Sequence, residues 1–85
     1  MLDLKFHHSG WEDYLYWQRV DIKMLKRINT LIKEIRHSPQ TRNGKPEQLK
    51  HSINGLWSRR INQEHRIVYT FSATTLTILS CRYHY

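Results

Sequence analysis

Two carboxylates, Glu47 and Glu64, stand against eight basic side chains between residues 36 and 85. Glu47 lies in Lys45-Pro46-Glu47-Gln48-Leu49-Lys50. A carboxylate among cations stays ionised and placed to take a proton, although its basicity falls as its pKa is depressed. A plain surface ion pair with Lys50 or an arginine is the bland alternative. The chain closes on Cys81-Arg82-Tyr83-His84-Tyr85, aromatic and basic to its last residue. His84 can give or take a proton near neutrality, and Tyr83 and Tyr85 can pack it or stack on a nucleobase. A terminal strand completing the core would account for Tyr83 but not for His84. Arg59, Arg60 and Arg66, with Trp57 beside them, interleave cations and aromatics as proteins that hold single-stranded nucleic acid do. A merely solvated face is the alternative there.

These residue types suit one reaction without a metal. Divalent ions at phosphates want clustered carboxylates, which this half of the chain lacks, and no phosphate-binding glycine loop or nucleophile elbow is present. No metal site and no cofactor are expected. RNA supplies its own nucleophile, the 2′-hydroxyl. A base removes its proton, a cation stabilises the charge gathering on phosphorus, and an acid protonates the departing 5′ oxygen. Glu47, Arg66 and His84 can fill those roles in that order.

Length and charge bound the rest. The 85 residues, 39% hydrophobic and 12% aromatic, predict one small globular domain spanning 1–85. Fourteen Lys+Arg against seven Asp+Glu give +7, and six of those seven net charges fall after residue 35. Such a lopsided positive field points to a polyanion or an acidic protein as partner. No apolar run is long enough to span a membrane, and the N-terminus has no signal-peptide core, so a cytoplasmic address and no membrane partner are expected, with Tyr85 as the true chain end. Cys81 is alone, which removes any internal disulfide or cysteine-based zinc site.

The elements that must carry these residues follow from periodicity. Leu2, Leu4 and Phe6 alternate with polar neighbours as a short strand. Ser9, with Glu12 three residues on, has the spacing of a capping box. The helix it opens would turn Trp11, Tyr14, Leu15 and Gln18 inward. Asp21 is the predicted cap of a second helix with an apolar stripe of Leu25, Ile28, Leu31, Ile32 and Ile35. Ser38-Pro39 stops it. Residues 37–46 read as a loop, Gln48 to His51 as a short strand, and Asn54-Gly55 as a hairpin turn. Leu56–Ile61, Arg66–Phe71 and Leu76–Tyr83 read as an antiparallel meander. The expected fold is α+β: two N-terminal helices on one face of a four- or five-stranded, mostly antiparallel twisted sheet. Strand parity puts Arg59 with Trp57 and Ile61, and Arg60 and Arg66 on the opposite face, which should be open to solvent.

Gly44-Lys45-Pro46-Glu47, Leu49-Lys50-His51, Gly55-Leu56-Trp57-Ser58-Arg59-Arg60-Ile61, Glu64-His65-Arg66-Ile67-Val68-Tyr69 and Cys81-Arg82-Tyr83-His84-Tyr85 closely resemble the YoeB (Txe) family of bacterial toxins. Trp11 to Gln18 and the Ile28-Asn29 to Ile32-Lys33 stretch fit as well, so the resemblance covers essentially the whole chain. It implies a RelE-like fold and a ribosome-dependent mRNA endonuclease acting in the ribosomal A site, and neutralisation by a cognate YefM (Phd-type) antitoxin. A homodimer stays open. The resemblance assigns Glu47 as general base, His84 as general acid, Arg66 as phosphate-stabilising cation and Tyr85 to the active site, with Lys50 and Arg60 as weaker candidates for substrate contact; Arg59 joins them as a candidate contact from the arginine set alone. Arg42 stands where the family commonly has a glycine, two residues before Gly44. Two other readings compete: a non-catalytic basic module that blocks translation without cutting, and a related toxin fold aimed at a topoisomerase, which needs no Glu47–His84 pair.

Overall fold

The computed structural model describes residues 1–39 and 55–83 in full, together with the backbone of 47–48. In chain order the elements are β1 (Asp3–Phe6), α1 (His8–Val20), α2 (Ile22–His37), β2 (Glu47–Gln48), β3 (Trp57–Arg60), β4 (Arg66–Phe71) and β5 (Thr75–Ser80). The strands form one sheet in the order β1-β5-β4-β3-β2. β3, β4 and β5 make the expected meander, while β1 returns to pair with β5 in parallel, Leu4 opposite Leu76. The architecture is therefore the expected helix-on-sheet α+β arrangement.

α2 forms where the sequence places it. Asp21 Oδ1 accepts from the backbone N–H groups of Lys23 and Met24, satisfying two of the donors a helix start leaves open. All five residues of its apolar stripe are buried, each stabilising the fold by about 1.5–3 kcal/mol relative to exposure. The helix ends at His37, with Ser38 as its C-cap. The stripe packs on Ile61, Ile67, Tyr69, Leu76 and Ile78 of the sheet side in one hydrophobic core.

α1 departs from expectation at both its start and its facing. His7, not Ser9, is the N-cap: its ring Nδ1 accepts from the Ser9 N–H, while the Ser9 hydroxyl donates to the Leu79 carbonyl at 2.8 Å. That hydroxyl ties the helix start to β5, while the His7 ring does the capping. The inward line runs through Gly10 and Trp17, whereas Trp11 and Leu15 are exposed. Trp11 instead joins a surface cluster, stacked at 5.7 Å on Tyr14 and edge-on to Phe6. The glycine decides the rotation. A Cβ at position 10 would fall inside contact distance of the Ile78 carbonyl oxygen and lie 3.0 Å from its carbon, so the helix can lie this close to β5 only with glycine there.

β5 stops at Ser80, although the sequence pattern continues to Tyr83. The reason lies in α1. Asp13 Oδ2 accepts from the Cys81 N–H at 3.0 Å and the Trp17 indole donates to the Cys81 carbonyl at 2.8 Å. With both its main-chain groups taken by side chains one helical turn apart, Cys81 cannot continue the ladder. Its thiol is fully buried, and burial, reinforced by the Asp13 carboxylate, pushes its pKa up to about 12. Cys81 is accordingly expected to react with a disulfide reagent at least about a hundredfold more slowly in the native protein than in denaturant. Comparable rates in the two states would show that the 81–83 segment opens readily. Among the described residues no helix is long and apolar enough to cross a membrane.

Candidate functional site

The site is built on the β2-β3-β4 side of the sheet. Antiparallel register sets Glu47 opposite Ser58, Gln48 opposite Trp57, and Arg60 opposite Arg66. Arg66 opens β4 and is half-buried. Its Nε donates to the Ser58 hydroxyl at 3.1 Å, and its backbone N–H donates to the Tyr83 carbonyl at 2.8 Å. One residue thus bonds the direct cross-strand partner of Glu47 and the residue that precedes His84. Glu47 is described in its backbone only. Lys50, His84 and Tyr85 lie outside the described residues, as do positions 40–46 of the expected loop and Asn54 of the expected turn. Gly55, the other half of that turn, has φ +88°, a left-handed conformation that favours glycine.

Arg60 and Arg66 face one another across β3 and β4. Like charges directly opposite are destabilising by themselves, and an anion between them turns that cost into attraction. Arg60 is exposed, so the pair meets solvent from the β3 side. The face is less open than parity suggests, since Ser58 and Val68 are both buried. A hydroxyl shielded from water holds the Arg66 fork in one orientation more firmly than an exposed one would.

Arg59 overturns an expectation. Parity places it on the helix side, where it is fully buried and cannot contact a substrate at the surface. Its Nε donates to the Tyr69 hydroxyl at 3.3 Å and its Nη2 donates to the Ser38 carbonyl at 2.7 Å. Tyr69 in turn donates to the Pro39 carbonyl at 2.8 Å. The two residues satisfy carbonyls where α2 ends and the chain departs toward Glu47. Burial raises the Tyr69 pKa, and the hydrogen bond and positive charge of Arg59 partly oppose that rise.

The tail is held by residues that sequence reasoning did not single out. Asp13 and Trp17 grip Cys81, as described above. The Arg82 guanidinium lies 3.6 Å from the Tyr16 ring centre and 4.7 Å from that of Tyr83, and donates to the Tyr83 hydroxyl. Burial raises the Asp13 pKa, against the lowering effect of the Cys81 N–H and Arg82. The one sequence signal that could have exposed this arrangement is Gly10 inside a helical pattern, since an interior glycine costs helix stability and usually marks a close approach.

Comparison with known proteins agrees with this fold. Residues 6–85 match the family described as YoeB-like toxin of bacterial type II toxin-antitoxin system. Toxin YoeB of Escherichia coli K12 is 50% identical over 84 residues, covering 99% of this chain and all of that protein. Among solved structures, the YoeB dimer from Staphylococcus aureus superposes with a TM-score of 0.90 at 47% identity, over 99% of this chain and 98% of that one. The YoeB–YefM complex from the same organism gives 0.88 at 46% identity, over 100% and 99%.

Proposed function

The chain belongs to the YoeB-like toxin family of bacterial type II toxin-antitoxin systems, and from that footing we propose that it is a ribosome-dependent mRNA endonuclease acting in the cytoplasm on message in the ribosomal A site. Glu47 takes the proton of the 2′-hydroxyl, which attacks the adjacent phosphorus. Arg66 stabilises the negative charge that builds on the phosphoryl oxygens. His84 protonates the 5′ oxygen as its bond to phosphorus breaks. The products are a 2′,3′-cyclic phosphate and a 5′-hydroxyl, and no metal takes part. Tyr85 belongs to the same site, and Lys50 and Arg60 contact flanking phosphates.

The observation that carries this reading is the double attachment of Arg66, to Ser58 across from Glu47 and to Tyr83 next to His84. Programmed ribosomes test it. After a short reaction, mapped 5′ ends should lie within the A-site codon and end-group analysis should find cyclic phosphate. Intact transcripts under arrested translation would assign the basic face to a non-catalytic blocker instead.

Arg66 makes a sharper forecast. Arg66→Gln should slow single-turnover cleavage by about 10²–10³-fold, the usual loss of one donor to a developing oxyanion. Arg66→Lys should recover only part of the rate, because a point charge cannot bond Ser58 and a phosphoryl oxygen with one rigid fork. An Arg66→Gln variant that cuts within twofold of the parent would remove Arg66 from this role.

The Staphylococcus aureus complex and dimer support two assemblies for this chain. One is with a YefM-type antitoxin whose acidic, disorder-prone segment folds over the basic face and covers His84. The other is a homodimer. Co-expression with a YefM-type antitoxin should yield a complex that no longer cuts message.

A further inference from the structure

Resting on the nuclease reading above, we propose that His65 is a positioning residue for the reaction: its ring sets the backbone turn from which the terminal general acid His84 departs. His65 is 7% exposed and sits in the turn between β3 and β4. Its Nδ1 accepts from the Tyr83 N–H at 2.7 Å. The next residue, Arg66, donates its own N–H to the Tyr83 carbonyl. Consecutive residues therefore hold both main-chain groups of Tyr83, and one of the two is the proposed phosphate-stabilising cation.

Tyr83 needs that hold. Its φ is +60°, left-handed backbone that a bulky aromatic residue seldom adopts. Such a conformation persists where surrounding contacts over-determine it, and it concentrates at functional sites. The His65 ring is locked in its turn. Trp17 packs edge-on to it at 4.8 Å and the Tyr83 ring lies at 5.5 Å. Asn62 Oδ1 accepts from the Glu64 and His65 N–H groups at 2.8 and 2.7 Å, and the His65 carbonyl accepts from Ile61 and Asn62. An accepting Nδ1 assigns the Nε2–H tautomer, with Nε2 3.5 Å from Glu64 Oε1. Core packing is thereby transmitted through one ring nitrogen to the residue before His84. Ring volume alone would not do this, since the strained turn depends on an acceptor at that point.

The test compares parent, His65→Phe, His65→Asn and Glu47→Gln on programmed ribosomes. Phenylalanine fills the space without an acceptor, while asparagine carries an oxygen at the same reach as Nδ1. His65→Phe should lower kcat by about 10²-fold, the scale of a small misplacement of a catalytic group, with KM for the ribosome changed less than threefold. His65→Asn should recover most of that loss. A His65→Phe rate within twofold of the parent, an asparagine variant as slow as the phenylalanine one, or a KM rising as far as kcat falls would each overturn the proposal. Should His65→Phe fail to fold, long-range proton–nitrogen NMR of the parent decides: a bare Nδ1 and a slowly exchanging Tyr83 amide uphold it, and a protonated Nδ1 defeats it. A parent that leaves message as intact as Glu47→Gln does would sink the nuclease reading itself, and the positioning role with it. A cutting parent with an equally fast His65→Phe sinks only the latter.

Discussion

Glu47→Gln and His84→Gln should each lower cleavage of message on programmed ribosomes by about 10²–10⁴-fold, the range a positioned general base or acid contributes. Glutamine keeps the length and hydrogen-bonding capacity of both side chains but cannot exchange a proton near neutrality. The thermal midpoint should therefore stay close to that of the parent. The two losses should not add: with base or acid gone, the residual rate comes from binding and from charge stabilisation by Arg66, so the double variant should be little slower than the worse single one. The pH–rate profile separates the roles. A base acts when deprotonated and an acid when protonated, so Glu47→Gln should lose the acid-side fall in rate and His84→Gln the alkaline-side fall. If both single variants cut at the parental rate, the acid–base assignment is wrong.

Gly10→Ala should have the largest effect on stability for the smallest chemical change. All three atoms that a Cβ there would meet are main-chain atoms of β5: the Ile78 oxygen and carbon, and the Leu79 carbon at 3.2 Å. A flexible side chain could swing aside, but a strand paired on both edges cannot. In an exposed helix the same substitution stabilises by about 1 kcal/mol through helix propensity. Here overpacking against rigid backbone, at the upper end of such changes, should outweigh that gain and leave a net loss of about 2 kcal/mol. For a chain of this size that corresponds to a Tm lower by about 8–16 °C. Scanning calorimetry of parent and variant measures it. Because α1 also grips Cys81 through Asp13 and Trp17, the folded fraction of Gly10→Ala should cut message more slowly as well. A variant as stable as the parent would mean that α1 does not pack against β5 at this distance.

What was legible in the sequence was local. The α2 stripe reads correctly because a 3.6-residue period is a property of a single element, and the Asp21 cap because its bonds close within three residues. The β3-β4-β5 meander follows from period-two strands joined by short polar links. Parity correctly put Arg59 on the opposite face from Arg60 and Arg66, yet it could not tell that the helix-side arginine would be wholly buried. That depended on two carbonyls where α2 ends, far away in sequence. The facing of α1, the end of β5 and the tail's dependence on His65 were hidden for the same reason.

The sequence by itself determined which functional groups are present, the secondary structure of most of the chain, the excess of positive charge and the family to which it belongs. Only tertiary structure decided that Arg59 is wholly buried, where the last strand stops, and that Arg66 is bonded to both Ser58 and Tyr83. The difference is physical. Periodicity and capping act over a few residues of chain, whereas hydrogen-bond satisfaction and close packing are settled between segments that meet only once the sheet has formed.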